Sequence, residues 1–218
     1  MEYEKQVMEN GNWVITEKGH SYLTPSKACT FAFDTETQVY FDGKILDTKK
    51  LAKRIRTMKD EEKRRRIVNV TWAWQAYDEV NGFFMTNDFE TWLTYVCLCG
   101  YKFGHCYNST FDFAQIDYQI LAVGKDKWKP HEHTEKGSGK GYDKGQAYTY
   151  ESVHNDMGAR YAYKLWFPYR NADRHIYVHA VELHDFMKLL VGGLKRVLED
   201  LDVRDNEGNP IRKLSMEY

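Results

Sequence analysis

Asp34 and Glu36 stand one residue apart where an apolar run ends, Thr30-Phe31-Ala32-Phe33-Asp34-Thr35-Glu36-Thr37. In a β-strand, side chains at i and i+2 leave the same face about 6–7 Å apart, so two carboxylates placed this way can share divalent cations. Mg²⁺ prefers hard oxygen ligands. Two-metal phosphodiester hydrolysis uses such a cluster, with ions about 3.5–4 Å apart serving the attacking and the departing oxygen. An Asp-x-Glu alone is more often a solvated pair at a turn, so the motif needs company.

A second constellation supplies it. Tyr107-Asn108-Ser109-Thr110-Phe111-Asp112 leads into a stretch with apolar residues at 113, 116, 120 and 121, the spacing of one helix face. Ser109 or Thr110 is placed to cap the helix start, which puts Asp112 in its first turn. A carboxylate there can point off the helix end toward a metal held by Asp34 and Glu36. Asn108 and Phe111 suit gripping a nucleotide by one amide and one ring. Taken alone, the segment reads as a capped amphipathic helix with an acid favoured by the macrodipole.

The elements that must position these residues follow from local pattern. Residues 1–27 are polar and mixed, with Trp13, Val14 and Ile15 as a compact apolar cluster, and read as a surface arm or a short strand. A strand over 29–33 delivers Asp34 and Glu36. Residues 47–66 have a helical, strongly basic pattern: either a solvated face or a phosphate-tracking surface. Ile67 to Trp74 alternates as a strand, and Asn81-Gly82 turns it into Phe83-Phe84-Met85. Asn87 or Asp88 caps a helix to about Leu98 with Phe89, Trp92, Leu93 and Val96 on its apolar face, and a strand over 101–106 delivers Asn108. Residues 124–147 form a loose insertion. Its His131-Glu132-His133 reads as exposed more readily than as a metal pair, and Gly137-Ser138-Gly139-Lys140-Gly141 lacks P-loop spacing. Strands near 147–153, 159–167 and 174–182 alternate like antiparallel hairpins, and a helix over 186–201 comes next. Strand, hairpin, helix, strand is the order of an α/β fold with a mixed sheet and flanking helices.

Composition sets looser bounds. A chain of 218 residues with 42% hydrophobic and 15% aromatic content can build a core of ordinary domain size. The net charge of −1 decides little, because an acidic metal site offsets a basic groove. Cys29, Cys97, Cys99 and Cys106 lack the spacing of a zinc site or a disulfide framework and read as reduced, buried thiols. No signal peptide or membrane-length apolar run appears, so a cytoplasmic location is expected, in a host cell if the source is viral.

Asp-x-Glu followed by Asn-x-x-x-Phe-Asp resembles the first two exonuclease motifs of family B DNA polymerases, and most of all the protein-primed group of phage and organellar plasmids. Leu183-His184-Asp185-Phe186-Met187-Lys188-Leu189-Leu190 resembles that group's segment lining the single-strand site. Ile211-Arg212-Lys213-Leu214-Ser215-Met216-Glu217-Tyr218 resembles the segment carrying a catalytic-site lysine. The resemblance covers residues 28–218. It implies a ribonuclease H-like 3′–5′ proofreading exonuclease of the DEDD type using two Mg²⁺ or Mn²⁺ ions. Asp34, Glu36 and Asp112 would be metal ligands and Lys213 a catalytic residue. Thr37, Tyr107, Asn108 and Phe111 would bind the single-stranded DNA 3′ end. The implied partners are the remaining polymerase (palm, fingers and thumb) and a terminal protein, with no membrane. The family's third motif, Tyr-x-x-x-Asp, would follow Tyr218. The chain therefore looks like an N-terminal fragment, with weak or no cleavage expected until another polypeptide supplies the missing carboxylate. A competing expectation is a non-catalytic module that binds single strands or a partner protein.

Overall fold

Alternation of aromatic with small or charged residues writes a strand into Thr30–Phe41: Phe31, Phe33 and Thr35 are buried, whereas Ala32 and Asp34 are exposed. The computed structural model describes residues 2–17, 30–42, 44–45, 58–59, 61–62, 67–107, 109–131, 148–156, 158, 160–170, 176–185, 202, 204, 208 and 210. Contacts divide the chain into two units, Met1–Tyr101 and Lys102–Tyr218.

The first unit holds β1 (Tyr3–Val7), β2 (Trp13–Glu17), β3 (Thr30–Phe41), β4 (Lys44–Ile45), β5 (Ile67–Asp78), β6 (Gly82–Thr86) and α1 (Phe89–Leu98). Its strands lie in the order β1-β2-β6-β5-β3, with β4 paired to β3 and every pairing antiparallel. The segment expected as an arm or short strand contributes a hairpin, β1–β2, that extends the sheet through β6.

One face of this sheet is covered by α1. Trp92 is fully buried, with its ring centroid 5.8 Å from Trp74 and 5.9 Å from Phe31, and Tyr95 stacks on Phe84 at 3.8 Å. The helix has defined ends. The Asp88 carboxylate accepts from the Thr91 amide at 2.8 Å and the Thr91 hydroxyl at 2.6 Å. At the other end Gly100 has φ of 70°, a left-handed geometry that favours glycine. It lets the Gly100 amide donate to Cys97 O at 3.0 Å and the Tyr101 amide to Val96 O at 3.1 Å, a Schellman closure.

The second unit holds β7 (Phe103–Cys106), α2 (Thr110–Asp117), a π-helix (Tyr118–Val123), β8 (Lys129–Pro130), β9 (Thr149–His154), β10 (Arg160–Arg170) and β11 (Ile176–Asp185). Its order is β7-β11-β10-β9-β8. β7 and β11 run parallel, as do β8 and β9, while β10 is antiparallel to both neighbours. Phe113, Ile116 and Ile120 are buried from the helical layer, and Phe113 meets the buried Tyr163 ring at 5.9 Å. Asp117 ties that layer to β10 by accepting from Arg160 at 2.7 Å and from the Tyr163 hydroxyl at 3.1 Å. Leu121, expected on the apolar face, is 51% exposed. The wider turn of the π-helix rotates it outward after Ile120 completes the stripe.

Each unit thus joins a sheet to helix, and with both parallel and antiparallel pairings the chain has the mixed α/β class read from its sequence. Most of the basic 47–66 segment, the insertion over 132–147, the helix expected over 186–201 and the final segment 211–218 lie outside the described residues. No helix among the described residues is long and apolar enough to cross a membrane.

Candidate active site

Strand alternation turns Asp34 and Glu36 to the face of β3 opposite Phe31, Phe33 and Thr35. Asp34 is exposed and Glu36 half-buried. Across the strand pair, Asp34 faces Gln75 in register, and the Gln75 side-chain amide donates to Glu36 Oε1 at 3.2 Å. The Asp34 carboxylate also accepts from the Thr35 amide at 3.0 Å. Partial burial raises the Glu36 pKa above its ordinary 4.5, and the negative charge of Asp34 raises it further; the Gln75 hydrogen bond opposes both. Two hard oxygen donors on one face, with Asp34 raising the Glu36 pKa, fit a divalent cation that would relieve the repulsion. Among the described residues, no set of three or more His, Cys, Asp or Glu side chains is arranged to hold a metal.

A β-bulge lies beside the pair. Glu36 pairs with Ala73 and Thr37 with Thr71, so Trp72 is the extra residue. The bulge sends Trp72 outward, 43% exposed, while Trp74 two residues on is 1% exposed. Thr37, half-buried, follows Glu36 at this irregularity.

In the second unit, β7 leads through Tyr107, which is half-buried, to the start of α2. Ser109 occupies the N-cap position as expected but makes no capping bond, and its buried Oγ has no hydrogen-bond partner among the described residues. Asp112 lies in the first turn, only 4% exposed, and the neighbouring Phe111 ring is 42% exposed. The helix N-terminus offsets part of the cost of burying that carboxylate. Asp34, Glu36 and Thr37 therefore share one strand of the first unit, and Tyr107, Phe111 and Asp112 share one strand-to-helix junction of the second. Asn108 and Lys213 lie outside the described residues.

Two features escaped the sequence reading. Gln75, the partner of Glu36, is an ordinary polar position of an alternating strand until pairing is known. The bulge had a faint signal, since Trp72 and Trp74 would otherwise share a face. Asp185, 3% exposed, ends β11 opposite Cys106 of its parallel neighbour. Beside it His105 and His184 stack at 5.7 Å, and burial together with His184 holds the His105 pKa below its ordinary value. Of the expected histidine pair in the insertion, His131 is half-buried rather than exposed, stacked on Trp166 at 3.9 Å.

No protein-family model matches the chain, and no curated protein matches it either. A solved structure, "Phi29 DNA polymerase complexed with single-stranded DNA", is similar to it with a TM-score of 0.47 and 16% identity, over 84% of this chain and 26% of that one. The chain spans about a quarter of that polymerase's length.

Proposed function

We propose that this chain is the 3′–5′ exonuclease part of a family B DNA-directed DNA polymerase, removing 3′-terminal nucleotides from single-stranded DNA with two Mg²⁺ or Mn²⁺ ions. The observation that carries the reading is the Asp34–Glu36 pair. The two acids share one face of β3, close enough for one to raise the other's pKa, and the sequence that follows has the order of the second motif. When bound, the ions supply Lewis acidity to the attacking water and to the departing 3′ oxygen.

The chain's own residues have distinct tasks in this mechanism. Asp34 and Glu36 would provide carboxylate oxygens of the metal site, and the sequence resemblance assigns Asp112 the same role. Gln75 is a positioning residue: its amide fixes the plane of the Glu36 carboxylate through Oε1. Thr37, Tyr107 and Asn108 hold the terminal nucleotides by hydrogen bonds, and the exposed Phe111 ring packs against a base. Lys213 steadies charge on the scissile phosphate. The remaining polymerase and a terminal protein are the partners this reading implies.

Digestion of a 5′-labelled single-stranded oligonucleotide with enzyme in excess and Mn²⁺ present tests the reading. Slow stepwise shortening from the 3′ end, abolished in Asp34→Ala, is the expected result. Equal shortening by wild type and variant, or shortening from the 5′ end, contradicts it. Binding of Mn²⁺ and oligonucleotide without any shortening would mark a metal site that needs further ligands, and no Mn²⁺ binding would favour a non-catalytic single-strand module.

A further inference from the structure

An open cleft of about 390 Å³ lies against β7, β11 and β10 of the second unit. Register builds its walls. Lys164 of β10 and Phe103 of β7 both sit opposite Glu182 of β11, and Trp166 lies one pleat along, opposite Ala180. The Glu182 amide donates to Lys102 O at 2.8 Å, which keeps Lys102 at the rim.

The cleft is flat and aromatic on one side and cationic on another. His131 stacks on the Trp166 indole at 3.9 Å and 12°, and is itself held by Thr149 at 2.9 Å, so the indole is clamped as a wall. The Glu182 carboxylate is shared between Lys164 at 3.5 Å and His184 at 3.1 Å. Lys102 forms no ion pair among the described residues. Its charge does reach His179, whose pKa lies below the ordinary value, first from burial and then from Lys102. Lys102, Lys164 and Glu182 all line the cleft.

We propose that this cleft binds a mononucleotide, its base against Trp166 and its phosphate on Lys102 and Lys164. The volume sits at the small end of ligand pockets, about 300–1,000 Å³. Lysine ammonium groups bind phosphate as point charges, and an indole accepts any base because every base has a π-face. Glu182, at the middle of the row, is an acceptor for a ribose hydroxyl or a base amino group. The site lies wholly within the second unit and needs no metal.

Isothermal titration of AMP into the full chain in EDTA tests it, with adenosine and inorganic phosphate as separate titrants. Saturable AMP binding at one site is expected, with each fragment about tenfold weaker or more. Lys102→Glu and Trp166→Leu should each weaken AMP by about tenfold or more, and Asp34→Ala should bind AMP like wild type. Circular dichroism reports whether each variant folds. Lys102→Gln and Trp166→Phe replace any that do not, with smaller losses in the same direction. No saturable binding, or AMP binding unchanged in folded Lys102 and Trp166 variants, overturns the site. Phosphate binding as tightly as AMP overturns the nucleotide assignment, and loss of AMP binding in Asp34→Ala moves the ligand to the carboxylate pair.

Discussion

At the scale of single residues, the proposed metal site turns on how Glu36 is charged. Its folded pKa lies above the unfolded value of 4.5, through burial first and Asp34 second. A raised pKa means the protonated side chain favours the fold. That contribution is fully present below pH 4.5 and is lost as pH rises through the folded value. Without metal, Glu36→Gln is therefore expected to match or exceed wild-type stability at neutral pH, by less than about 1 kcal/mol because the group is only half-buried. The gain should vanish below about pH 4. Urea unfolding across a pH series with chelator checks this, and a Gln variant clearly less stable than wild type at pH 7 would refute it. Gln75→Ala should raise the Glu36 pKa further, since the bond it removes favours the charged form. Carboxyl titration by NMR reads that shift, and a lowered or unchanged value would contradict it.

At the scale of elements, α1 shows how much can be read locally. Asp88 before a stripe of Phe89, Trp92, Leu93 and Val96 gives both its start and its buried face, and the structure has the helix at Phe89–Leu98. Asp88→Ala should cost about 1 kcal/mol of stability, because the Thr91 amide loses its acceptor. Thermal unfolding measures this, and a change within error of zero would mean water replaces the cap without cost. Other elements were illegible for physical reasons. The residues of β1 are all exposed, so no apolar alternation marks the strand; backbone pairing to β2 makes it. The π-turn after Asp117 leaves no trace in a pattern already apolar at 113, 116 and 120. The carboxylate pair was legible because i and i+2 always share a strand face. Its hydrogen-bond partner was not, because Gln75 reaches Glu36 only through a pairing 39 residues away in sequence.

At the scale of the whole molecule, stability rests on aromatic cores. Trp92, fully buried among Phe31, Phe33, Trp74 and Phe89, anchors the first unit. Trp92→Ala should cost about 3–5 kcal/mol, read as a lower urea midpoint. A loss under about 1 kcal/mol would show that the core closes over the gap. The same burial protects the thiols. Burial pushes Cys97 and Cys99 up to about 12, so alkylation at pH 8 should wait for unfolding. Peptide mapping after a short iodoacetamide pulse would show both unmodified in folded protein and modified in urea.

The central claim is that Asp34 and Glu36 form a divalent-metal site, and calorimetric titration of Mn²⁺ tests it most directly. Wild type should bind Mn²⁺ at neutral pH, more weakly as pH falls through the raised Glu36 value, because the proton and the ion compete for the same oxygens. Asp34→Ala should lose that binding while its unfolding curve stays close to wild type, as befits an exposed side chain. Mn²⁺ affinity unchanged in a folded Asp34→Ala variant, or insensitive to pH across the carboxylate range, would contradict the account.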